Sequence, residues 1–142
     1  MPVALKLLAL AAALTCGACG SDDGSGSPAR PQSVQGQEYV LGFGETIRIG
    51  ALSLEFTTLA EDSRCPLNAA CVWEGNARIL VTATEGTETA VLALNTAAHL
   101  YPSSGTFAGY RIELRALAPY PPWSNQPVET YEATLFVERA RP

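Results

Sequence analysis

The sequence predicts an all-β domain: an antiparallel two-sheet sandwich of about seven strands, immunoglobulin-like or similar, with a small β-barrel as the alternative. Three observations lead there. Apolar residues recur at every second position through most of the chain beyond residue 37, the period of a half-buried strand. Gly-containing turn signals, at Gly50-Ala51 and Glu85-Gly86-Thr87, punctuate the alternation. No internal repeat or second boundary divides residues 37–142, a length that suits one domain with one core.

Taken in order, the first strand falls near Glu38 to Leu41, and Thr46-Ile47-Arg48-Ile49 forms the second. Leu52, Leu54 and Phe56 then share a face, opposite Ser53, Glu55 and Thr57. Ala77, Ile79, Val81 and Ala83 do the same against Arg78, Leu80 and Thr82, and the next strand spans Thr89 to Leu94. Tyr110, Ile112, Leu114 and Ala116 alternate with Arg111, Glu113 and Arg115; Tyr131, Ala133, Leu135 and Val137 alternate with Glu132, Thr134 and Glu138. Strands with one wet face, joined by short turns, pair antiparallel. Helix is confined to a short turn, around Leu67 to Ala70 or Thr96 to His99.

The N-terminus reads as an export signal. Lys6 precedes the apolar run Leu7 to Leu14, then small residues, then a polar stretch. The run is too short to cross a bilayer, which takes about 20 residues. Ala18-Cys19 resembles the lipobox of bacterial lipoproteins, in which the cysteine receives a diacylglyceryl group. Thr15-Cys16 fits less well, because Thr15 is β-branched and follows Leu14. Cleavage before Cys19 removes Cys16 and leaves Cys19 for the lipid, with Cys65 and Cys71 to pair. The resemblance implies a signal peptide over residues 1–18, palmitate-type acylation at Cys19, and a membrane partner reached through the lipid. Gly20 follows Cys19 where an aspartate would retain such lipoproteins in the inner membrane, so the resemblance implies a lipid-anchored place in the cell envelope, at the outer membrane or periplasmic face, with the cell surface as the alternative. Residues 19–36, dominated by Gly, Ser and Pro, are a flexible tether, reaching about 2 nm on average.

Composition narrows the chemistry. The chain carries 14 Asp and Glu and a net charge of −5, so nucleic acid, which needs a basic face, is not an expected partner. The one histidine, His99, stands near Ser103 and Ser104 without a nucleophile motif around them. Two paired cysteines and one histidine are too few soft ligands for a closed zinc site, and Glu61-Asp62 begins no calcium loop. No Gly-rich phosphate loop is present. The expectation is therefore a non-enzymatic protein without cofactor or metal.

The stretch SRCPLNAACVWEG, residues 63–75, draws the remaining interest. Export places Cys65 and Cys71 in an oxidising compartment, where a disulfide forms. Their C-x5-C spacing differs from the C-x-x-C of redox dithiols and is too short to bridge two sheets. Pro66 stiffens the ring. Trp73 is placed to cover the disulfide, and Gly75 to let the chain enter the next strand. A stiff loop with Arg64 at its shoulder also loses little entropy on binding, which makes Arg64 and Trp73 recognition candidates. Tyr120 and Trp123, in the proline-rich stretch APYPPWSNQP, are a second pair, since such residues are favoured at binding hot spots.

The S-R-C-P and C-x-W-x-G patterns, with GYRIELRALAPYP and YEATLFVER, resemble a domain of uncharacterised bacterial lipoproteins. The resemblance covers most of residues 38–139, with Glu74 where a small residue is usual, and it implies no catalytic residues. The expected function is a lipid-anchored module of the cell envelope that binds a protein, peptide or glycan or supports envelope structure. A secreted hydrolase inhibitor acting through residues 64–73 is the alternative, and a hydrolase with a carboxylate pair is a third.

Overall fold

The computed structural model describes residues 36–122 and 130–140; the expectations for Cys19 and Trp123 lie outside them. Eight strands form two four-stranded antiparallel sheets that do not close into a barrel. They are β1 (Gln37–Gly42), β2 (Thr46–Ile49), β3 (Leu52–Asp62), β4 (Ala77–Glu85), β5 (Glu88–Asn95), β6 (Ser104–Phe107), β7 (Tyr110–Ala118) and β8 (Glu132–Arg139). One sheet runs β2-β3-β4-β5 as a meander; the other runs β1-β8-β7-β6, with the first strand laid against the last.

The alternation read from the sequence is the core. Leu52, Leu54 and Phe56 of β3 and Ala77, Ile79, Val81 and Ala83 of β4 face Ile112, Leu114, Ala133, Leu135 and Val137 across the sandwich, all buried. Burial on one face fixes the register, because a slip of one residue would turn each of these side chains to water.

Four details depart from the sequence reading. The strand count rises to eight because Ser104–Phe107 forms the short edge strand β6, whose Gly105 lies against Leu92. In β7 the register shifts between Leu114 and Ala116. That bulge exposes Ala116 and sends Leu117 into the core. Tyr131 precedes β8 and is half-buried. No helix forms among the described residues. At Ala97 a single turn closes, with Leu100 N–H and Tyr101 N–H both donating to its carbonyl, and Ala69 N–H donates to Pro66 in a β-turn.

The connections differ at the two ends. At one end tight turns at Gly50-Ala51, Gly86-Thr87 and Ala108-Gly109 join the strands. Gln37, where the chain enters β1, pairs with Val137 and shares this end. The opposite end gathers the longer connections: residues 63–76, 96–103 and the one that follows Ala118.

Candidate functional site

The loop end is built on Arg64. Its guanidinium meets the Asp62 carboxylate in a fork, Nε to Oδ1 and Nη2 to Oδ2, both at 2.8 Å. Nη1 donates to the Leu117 carbonyl and Nη2 to that of Pro119, 2.7 Å away. Its Cζ lies 4.6 Å from the centroid of the Tyr120 ring, a cation–π contact. Only 4 % of the Arg64 side chain and 8 % of Asp62 reach solvent. From the sequence Arg64 stands at the shoulder of the loop as a recognition candidate; the structure turns it inward. The reason is local. β6 pairs with β7 only from Tyr110 to Glu113, so the end of β7 has no strand neighbour on that edge. The guanidinium bonds carbonyls there that a neighbouring strand would have bonded.

Tyr131 completes the cluster by donating its hydroxyl to Asp62 Oδ2 at 3.1 Å. Burial, then the nearby Asp62 charge and the hydrogen bond to it, raise its pKa, with Arg64 opposing. A raised pKa favours the protonated phenol in the folded state. The stabilisation is therefore complete below the unfolded value of about 10 and is lost as pH rises through the folded value. Urea midpoints between pH 8 and 11 should fall more steeply for the wild type than for Tyr131→Phe. Parallel curves would show that this phenol carries no such linkage.

A second polar chain fixes the neighbouring loop. Asn76 Nδ2 donates to Asn95 Oδ1 at 3.0 Å, Asn95 Nδ2 to the Pro102 carbonyl at 2.9 Å, and Ala97 N–H to Asn76 Oδ1 at 3.1 Å. Both asparagines are buried, and among the described residues no buried side-chain polar atom lacks a partner. Such fully satisfied networks hold a backbone in one arrangement. Nothing in the sequence marks these two residues as a unit, because they are 19 positions apart.

Cys65 and Cys71 form the expected disulfide, with Cα atoms 6.0 Å apart. Below the ring the chain is zipped by its own backbone: Ser63 N–H donates to Asn76 O at 2.7 Å and Cys65 N–H to Glu74 O at 2.8 Å. The ring is thus a tip on an already closed base. Its side chains face outward. Leu67 is 78 % exposed, Trp73 56 %, and Val72 entirely so. Trp73 does not bury itself over the disulfide, contrary to the sequence expectation, and Cys71 itself is exposed.

The two loops singled out in the sequence meet here. Pro66, Leu67 and Asn68 of the ring face Tyr120, Pro121 and Pro122 across a cleft of about 140 Å³. Tyr120 also lines a groove of about 270 Å³, together with Ala97, Ala116 and Leu117 and the charged Arg64, Glu74 and Arg115. The Glu74 carboxylate sits 3.3 Å from His99 Nδ1, both exposed. Arg115 pairs with Glu113 at 3.0 Å, and Glu113 also holds Arg111. Glu74 is, among the described residues, the single carboxylate lining either depression. Among the described residues no three His, Cys, Asp or Glu side chains gather as metal ligands. Comparison with known proteins returned no match: no family model fits the sequence, and no curated protein or solved structure is similar to it.

Proposed function

We propose that this chain is a lipid-anchored, non-enzymatic binding module of the cell envelope, tethered through Cys19, that presents its loop end to a partner protein. One observation carries the reading. The backbone of residues 63–76 is held by the Arg64 cluster, the closed base and the disulfide, while Leu67, Val72 and Trp73 point into solvent. A loop whose rigidity served only the fold would bury those side chains. Fixed in advance, they give up little conformational entropy to a partner. The tether also enters at Gln37, at the end away from this surface. The inhibitor alternative through Arg64 draws no support from the geometry, since an enclosed guanidinium has no contact to offer a protease. For the carboxylate-pair alternative, the described residues bring one carboxylate, Glu74, to the groove.

The disulfide separates folding from binding. A ring of this size restrains the unfolded chain by about 2 kcal/mol. The reduced native tip would regain part of that freedom above its closed base. Changing Cys65 and Cys71 together to Ser should therefore cost less than about 2 kcal/mol. In cells, a photo-crosslinker at Val72 should capture one discrete envelope protein; a crosslinker at Arg48 should not, and the double Ser change should weaken capture. Equal capture from both positions would refute the binding reading. Palmitate labelling should disappear in Cys19→Ala, and labelling that persists would remove the anchor from Cys19.

A further inference from the structure

We infer that the loop end binds a polyproline-II segment of its partner, laid across Tyr120 with the two flanking depressions taking successive apolar side chains. This rests on the binding-module reading and names the ligand class for that surface.

The other ways of gripping a peptide are closed off by what surrounds the site. Strand addition needs free backbone groups at a sheet edge. The exposed end of β7 has the Leu117 carbonyl bonded by Arg64, which also holds Pro119 just beyond it. A bound helix, about 10–12 Å across, needs a longer apolar trough than these two depressions. Recognition of a phosphorylated or acidic motif needs cations without partners. Here Arg64 is matched by Asp62 and Arg115 by Glu113. A sugar would seek several converging polar side chains; among the described residues the 140 Å³ cleft has the Asn68 amide and the Tyr120 hydroxyl, and in the larger groove Arg64 and Arg115 are already taken by Asp62 and Glu113.

Polyproline II fits what remains. It has no internal hydrogen bonds and is ordered before it binds, and its rings dock against aromatic ridges. Tyr120 is such a ridge. It lines both depressions, with the Arg64 guanidinium stacked on its ring. Charge points the same way. Residues 65–73 and 120–122 carry no charged side chain in a chain of net charge −5, and in the larger groove Arg64 is paired with Asp62, Arg115 with Glu113, and Glu74 stands beside His99. A cleft without charge beside a groove whose charges are paired matches an uncharged, proline-rich ligand.

The test is a titration of the full chain with decaproline, acetylated and amidated, followed by backbone NMR shifts. Saturable shifts should centre on Leu67, Asn68 and Tyr120. Affinity should fall at least tenfold in Tyr120→Ala. Because Tyr120 also touches Arg64, Leu67→Asp serves as the second variant; Leu67 is exposed, so its replacement leaves the fold intact and should weaken binding similarly. A capped Gly-Ser decapeptide and cellohexaose should not saturate. The inference falls if decaproline gives no saturable shift, if Leu67→Asp binds as well as the wild type, or if cellohexaose saturates the same residues. Decaproline failing while Val72 still captures its partner would overturn the ligand class alone; both failing would overturn the binding reading with it.

Discussion

Arg64→Ala should destabilise the domain by about 3–5 kcal/mol, the range for removing one partner of a buried ion pair. The substitution leaves Asp62 enclosed with only the Tyr131 hydroxyl and the N–H of residue 64 for company, and frees the carbonyls of Leu117 and Pro119. Each of those groups was desolvated on folding and none regains water fully. On a domain of this size the loss should lower the melting temperature by well over 10 °C, at about 4–8 °C per kcal/mol. Arg64→Lys should recover little. An ammonium cannot reproduce the fork on Asp62 while also reaching two carbonyls and lying flat on Tyr120. Denaturant midpoints measure this directly, and a loss below about 1 kcal/mol, the scale of an exposed pair, would show that the cluster is ornamental.

Gly75→Ala should be comparably severe, by a different route. Gly75 has φ +75°, and a Cβ there would stand 1.9 Å from the Ser63 carbonyl oxygen and 2.8 Å from the Arg64 Cα. The left-handed backbone alone costs a non-glycine residue about 1–2 kcal/mol. The clash is worse, because the obstacle is backbone. Relieving it means opening the base of the loop where Ser63 bonds Asn76. Gly86, at φ +61° with nothing within 4 Å of its missing Cβ, is the control. Gly86→Ala should cost only the conformational part, about 1–2 kcal/mol. Equal losses at the two positions would mean that the close approach at Gly75 relaxes freely.

What could be read from the sequence follows from how far each interaction reaches along the chain. The alternation of Ala77, Ile79, Val81 and Ala83, or of Ala133, Leu135 and Val137, is local, and burial of one face makes it legible. Strand β6 has only four residues, one of them Gly105, which packs as a flat spot against Leu92, and so shows no alternation. The exchange of Ala116 for Leu117 comes from a bulge that the pattern before it does not announce. The candidate site was half legible. The disulfide followed from export and spacing, and the two aromatic-bearing loops were picked out separately. Their meeting across a cleft could not be read, nor could the inward turn of Arg64, whose carbonyl partners lie 53 and 55 residues away. Trp73 was misplaced because a large aromatic beside a disulfide reads as cover. Whether it covers depends on the ring sitting above a base already closed by backbone bonds.

The pairing of the first strand with the last sets how the domain bears mechanical load. Gln37 and Val137 stand opposite one another, so both ends of the folded chain emerge at the turn end. Force that separates those ends would peel β1 from β8 one bond at a time, a low-resistance geometry. A pull between Gln37 and the loop end acts differently. It runs lengthwise through β1, and the hydrogen bonds along the six pairs from Gln37↔Val137 to Gly42↔Glu132 are sheared together rather than in turn. The same ladder is weak against force that parts the two ends of the fold and strong against force drawn from the turn end to the loop end.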